Sequence, residues 1–204
     1  MRSLLCHFIF SATIMAAASS LCAARTLCVN PGGTSGCYSS ITAAVAAAAE
    51  HDTIKVAHGT YAEDVVIQKP LSVIGENRET TAIDATGLAN GFYVDGIDHS
   101  GLREVVIHGF TVKNANFEGI LVTNSAYVTI WGNKITANDK SLNSSNLTCP
   151  GIPSFETAEG FDCGEGIHLS GVNHSTVSRN EVVRNAGGIL LSDDTGATHH
   201  IRGG

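Results

Sequence analysis

Aromatic side chains are scarce in this sequence, at 6 % of 204 residues, whereas glycine is frequent at 22. That balance argues against a helical bundle and for thin β-layers joined by many turns. Positive charge is also short. Twelve Lys and Arg stand against 19 Asp and Glu, and no basic stripe is present that could neutralise a row of phosphates. Nucleic acid and anionic membrane surfaces are therefore excluded as partners, and a polyanionic sugar such as pectate would be repelled unless calcium bridged it. The N-terminal apolar run, Leu4 to Met15, is shorter than the ~20 residues of a membrane span. No C-x-x-C spacing occurs among the cysteines, which weakens a zinc reading of them.

Met1 to about Ala24 reads instead as a secretory signal peptide, with Arg2 as its basic head and Cys22-Ala23-Ala24 as small residues for cleavage. Leu21 before Cys22 disfavours a lipoprotein signal. The expected destination is secreted or periplasmic, with no membrane contact once the signal is removed. Of the charged residues only Arg2 leaves with that segment, so the mature chain carries 11 basic and 19 acidic residues, a net charge of −8. Four cysteines remain: Cys28, Cys37, Cys149 and Cys163. An even number in an exported chain points to disulfides, and nearness in sequence favours Cys28–Cys37 and Cys149–Cys163.

From Val105 onward the sequence repeats. Val105–Asn114, Val128–Asn138 and Ser175–Asn185 each alternate β-branched with polar residues, bend, run apolar again and close on Asn. Between them recur Gly119-Ile120-Leu121-Val122, Gly166-Ile167-His168-Leu169 and Gly188-Ile189-Leu190-Leu191. Ile107 to Ile130 is 23 residues, Val177 to Ile201 is 24, and Ile130 to Val177 is 47, either two periods or one period plus an insertion. A period in the low twenties marks a solenoid. Leucine-rich repeats would place Leu at fixed positions. Val, Ile, Thr, Gly and Asn suit short strands and sharp corners, so the expected fold is an all-β parallel β-helix. Asn133 with Asn180, and Asn114 with Asn138 and Asn185, are expected to form two amide ladders at the corners, where Asn tolerates a left-handed backbone.

Ser39 to Glu50 is the one clear helix, Ala-rich and capped by Ser39 or Ser40. It is placed to cover the open N-terminal end of the solenoid. The first turn is expected over His51–Glu76, with strands at Thr53–Val56, Asp64–Ile67 and Leu71–Gly75 and a bend at Gly59-Thr60-Tyr61. The domain reading is thus a signal at 1–24, an N-terminal cap at 25–52 and β-helix repeats over 53–204, with a Pro- and Cys-containing insertion at 141–164. Insertions on solenoids are where function gathers, although an elaborated loop without a ligand accounts for this one equally well. Sequons occur at Asn143, Asn146 and Asn173. The sequence stops at Gly204 just as a new turn begins, which reads as the N-terminal part of a longer solenoid or as a coil open to self-association.

These phrases, together with the GTY-x-E and K-P-L-x-V-I-G-E run from Gly59 to Glu76, resemble the pectin-lyase-like, right-handed β-helix superfamily over nearly all of the mature chain. The resemblance implies the fold. It leaves function open, because lyases, hydrolases, epimerases, adhesins and non-catalytic proteins share it. Lyases of this superfamily use an Arg or Lys base beside calcium held by Asp and Glu, so calcium is the one cofactor that the resemblance introduces.

Ser192-Asp193-Asp194 and His199-His200-Ile201-Arg202 resemble polygalacturonase-like motifs, but here they crowd into a short stretch, and the Asn-Thr-Asp element is missing. Asp193, Asp194 and His168 stay as catalytic candidates, and Asp162 and Glu165 as metal candidates; solvated loop carboxylates are the plain alternative. His168 alternates with Ile167 and Leu169 and is expected to face outward, where it could bind sugar or shuttle protons or simply sit on the surface. Asp95, Asp98, His99 and Arg103 form a second polar cluster that ordinary turn chemistry also explains. Tyr127 and Trp131 are candidate sugar-stacking rings. A relation to the β-helix protein that matures the copper site of nitrous oxide reductase lacks its Met/His/Cys cluster. Two functions therefore compete: binding or lyase-like processing of extracellular polysaccharide, and a non-catalytic scaffold or adhesin.

Overall fold

The computed structural model describes residues 23–153 and 163–193. Strand β1 (Thr26–Val29) and helix α1 (Ile41–Ala47) precede five coils of three short strands each. The first coil is β2 (Thr53–Val56), β3 (Gly59–Tyr61) and β4 (Val65–Ile67); the second is β5 (Ser72–Gly75), β6 (Thr81–Asp84) and β7 (Phe92–Asp95). The third is β8 (Val106–His108), β9 (Thr111–Lys113) and β10 (Ile120–Thr123); the fourth is β11 (Thr129–Trp131), β12 (Lys134–Thr136) and β13 (Glu165–Ser170). The fifth is β14 (Thr176–Ser178), β15 (Glu181–Val183) and β16 (Gly187–Ser192). Corresponding strands stack in parallel into three sheets: β1-β2-β5-β8-β11-β14, β3-β6-β9-β12-β15 and β4-β7-β10-β13-β16. The fold is a parallel β-helix.

Period-two alternation sends one apolar residue of each triplet inward, and the parallel register stacks like on like. Ile54, Val73, Ile107, Ile130 and Val177 form one interior column. Val65, Phe92, Ile120, Ile167 and Ile189 form another. Phe92 and Phe110 meet edge to face at 5.2 Å between centroids. Each buried aliphatic contributes about 1.5–3 kcal/mol, so the strands are held by the interior columns more than by their own short length.

Corners are built as a left-handed residue followed by an amide, buried in the fourth coil and half-buried in the fifth. Gly132 (φ 65°) and Arg179 (φ 55°) precede Asn133 and Asn180; Ala137 (φ 62°) and Arg184 (φ 60°) precede Asn138 and Asn185. Asn133 accepts from the Phe110 N–H (3.0 Å) and donates to the Ile107 carbonyl and to Asn180 Oδ1 (3.1 Å each). Asn138 repeats the pattern with Ala115, Val112 and Asn185. Both ladders exist, with two corrections. The ladder amides do not themselves take the left-handed backbone; the residue before each does. Asn114 occupies that preceding position (φ 66°) and donates to Asp84 instead, at 3.0 Å, so it is outside the ladder.

Two further expectations shift. Gly59-Thr60-Tyr61 is strand β3, because Tyr61 aligns with Ile83 in the second sheet. The helix is shorter than Ser39–Glu50. Ser40 caps it, accepting from the Ala43 N–H at 3.1 Å, and Glu63 accepts from the N–H groups of Ile41 (2.9 Å) and Thr42 (2.7 Å). After Ala47 the backbone turns extended, and buried Asp52 takes the Ala49 N–H at 2.9 Å. Ile41, Ala44 and Val45 pack onto β1, β2 and β4, which covers the N-terminal end of the interior.

The 47-residue spacing is one period plus an insertion, since β11 pairs directly with β14. Disulfides join Cys28 to Cys37 and Cys149 to Cys163. The second, with Phe117, Leu142 and Ile152, makes a small apolar cluster separate from the main interior. In the fifth coil the inward residues Ile189 and Leu191 are exposed. No helix among the described residues is long and apolar enough to cross a membrane.

Candidate functional sites on the outer faces

Alternation also fixes what each sheet shows outward. On the first sheet the outward column runs Cys28, Lys55, Ile74, His108, Trp131 and Ser178. The rings of His108 and Trp131 stack at 3.4 Å between centroids and 7° apart. The Nδ1–H of His108 donates to the Trp131 carbonyl at 2.9 Å, which locks the imidazole beneath the indole. Below this pair lies a groove of about 460 Å³ lined by Cys28, Lys55, Ile74, Glu76 and His108. The His58 N–H and then its ring, at 2.9 and 3.1 Å, hold the Glu76 carboxyl below its ordinary range, so the groove carries a carboxylate beside Lys55. Trp131 therefore faces outward, as its alternation with Ile130 predicts, and one of its faces is covered by a ring of the preceding coil.

Tyr127 sits at another corner with φ 55°. The Arg103 guanidinium lies 4.8 Å from its ring centroid, and the His174 ring stacks at 5.1 Å. Arg103 belongs to the coil before and His174 to the coil after, as the bridges Arg103–Ala126 and Ala126–Asn173 show. Both faces of the Tyr127 ring are thus occupied, and its exposed edge and hydroxyl are what it offers.

On the third sheet the outward columns are Tyr93, Leu121, His168 and Leu190, and beside them Asp95, Thr123, Ser170 and Ser192. His168 faces outward in register as expected. It is nevertheless fully buried rather than at the surface, and Leu121 next to it is buried too. Glu118, Glu165 and His168 bring ligand-type atoms within 4.8 Å of one another. Asp95 is buried at the other end of its strand and accepts from Gln68 (3.0 Å), Tyr93 (3.1 Å) and the Asp98 N–H (3.1 Å), with His99 at 3.3 Å. Burial raises its pKa, and these donors more than offset that, so its carboxyl lies below the usual range. Asp95 is an ionised turn anchor, which is the plain reading of that cluster.

The right-handed β-helix region family matches residues 73–202, well over half of the chain. The chain belongs to this family. No curated protein sequence matches it. Within this right-handed β-helix, Glu165 and His168 come together, while Asp193 follows the far end of β16, away from the Gly187 that aligns with Glu165. Asp162, Asp194, His199, His200 and Arg202 lie outside the described residues.

Glu118 and His108 were missed by reading the sequence. Glu118 precedes the first of the three Gly-Ile phrases, as Glu165 precedes the second, so comparing those phrases one residue further upstream would have found it. His108 aligns with Trp131 in the first repeat comparison, which was the available signal.

Proposed function

We propose that this is an exported β-helix protein of the pectin-lyase-like kind that binds an extracellular polysaccharide along the outer face of its first sheet. The observation that carries this reading is the His108–Trp131 stack at the head of the Lys55/Ile74/Glu76 groove. A flat ring beside paired polar groups is what a pyranose needs, an apolar face to lie on and hydrogen-bonding partners at its edge. Two disulfides suit an oxidising compartment, and the signal-like N-terminus is the further support for export. The net negative charge favours neutral glycans, with acidic ones requiring calcium as a bridge.

The test is calorimetric titration of the intact protein with neutral and acidic polysaccharides, with and without calcium. A neutral glycan should bind, and Trp131→Ala should weaken it about tenfold, the equivalent of ~1.4 kcal/mol. Undiminished binding by Trp131→Ala, or no binding across the panel, overturns the reading. The same mixtures, followed for unsaturated uronate products, distinguish a lyase from a binding protein.

A further inference from the structure

We propose that Glu118, Glu165 and His168 form a binding site for one divalent transition-metal ion, with zinc the best match. Because Ile120 aligns with Ile167 across β10 and β13, Glu118 and Glu165 hold equivalent places in adjacent coils, and their carboxylates stack. His168 comes from the same strand as Glu165. Glu118 and His168 are fully buried and Glu165 is 9 % exposed, so this is not a solvated loop of acids. All three ligand atoms lie within 4.8 Å. Tetrahedral zinc holds its ligand atoms ~3.4 Å apart, a closure that glutamate rotamers reach.

The imidazole is prepared for this role. Its Nε2 lies 3.0 Å from Ser192 Oγ, whose own proton goes to Ser170 Oγ at 3.1 Å. With an ion on Nδ1, the Nε2–H would donate to Ser192, the arrangement in which an outer hydroxyl fixes the tautomer of a metal-ligating histidine. Room is provided as well. Gly187 aligns with Glu165, and a Cβ there would stand 2.7 Å from Glu165 Oε1. Two carboxylates stacked in a buried site favour a dication between them, and the nitrogen ligand selects a borderline ion such as zinc over calcium, which takes oxygen ligands.

The test uses the full chain, stripped with chelator and titrated with zinc chloride, and separately with cobalt for its ligand-field spectrum. One ion per chain is expected. Glu118→Gln, which keeps the shape of the side chain, and His168→Ala should each weaken binding about 100-fold, and Ser192→Ala, acting through the imidazole, about tenfold. Circular dichroism confirms that each variant is folded; should His168→Ala fail to fold, Glu118→Gln and Ser192→Ala decide. Folded variants that bind zinc as tightly as the parent overturn the site, as does a parent that binds no more zinc than the Glu118→Gln form. Glycan binding at the first sheet is independent of either result.

Discussion

Removing the Asn133 side chain should cost more than removing Asn180, the amide that stacks on it in the next coil. Asn133 is fully buried between the third and fifth coils and serves three partners: the Phe110 N–H, the Ile107 carbonyl and Asn180 Oδ1. In Asn133→Ala the first two of these, themselves main-chain groups of buried residues, lose their partner with no water to replace it. Each orphaned buried group costs about 1–3 kcal/mol, so the substitution should destabilise by about 3–5 kcal/mol. Asn180 makes the same kind of bonds, donating to the Ile130 carbonyl at 2.9 Å, but sits partly exposed in the fifth coil, where solvent can re-satisfy the freed groups. Asn180→Ala should therefore cost about 1–2 kcal/mol. Urea unfolding with the disulfides intact, followed by circular dichroism, measures both. Equal losses, or a loss under ~1 kcal/mol at Asn133, would refute the claim that the ladder works by satisfying buried backbone.

Asp84 gives the acid dependence. Burial raises its pKa, but the Thr86 hydroxyl, the Asn114 amide and Lys113 outweigh that and bring it to about 2. A depressed carboxyl stabilises fully above its unfolded value near 3.8 and loses that contribution as pH falls towards 2. Between pH 5 and pH 2 the parent should lose about 2 kcal/mol more than Asp84→Asn does, read from urea midpoints at each pH. Gly119 and Gly188 occupy matching places in their coils but should differ. A Cβ on Gly119 would meet Ile135 Cγ2 at 2.3 Å, whereas one on Gly188 meets nothing within 4 Å. Gly119→Ala should cost about 2–3 kcal/mol and Gly188→Ala under ~1 kcal/mol, and thermal melts separate them. Replacing both Cys149 and Cys163 with Ser should speed proteolysis within the 141–164 insertion while the urea midpoint of the coils changes little, because the cluster they anchor is separate from the main interior; a matching fall in the coil midpoint counts against that separation.

Repetition by itself determined the architecture. When Ile107, Ile130 and Val177 recur with the same polar neighbours, a single register satisfies all of them at once, because a one-residue slip would turn every apolar residue outward. Nearness in sequence likewise selected both disulfides. Tertiary structure decided what lies between coils. The sequence shows which way His168 points, since alternation is local; burial depends on what covers that face, and no periodicity encodes it. Glu118 meets Glu165 from 47 positions away, and Trp131 meets His108 from 23, because parallel stacking places equivalent positions one strand spacing apart however long the loop between them. Pattern within a turn is written in the chain, whereas a site assembled across turns exists only once the insertion length has been absorbed and the coils are in register.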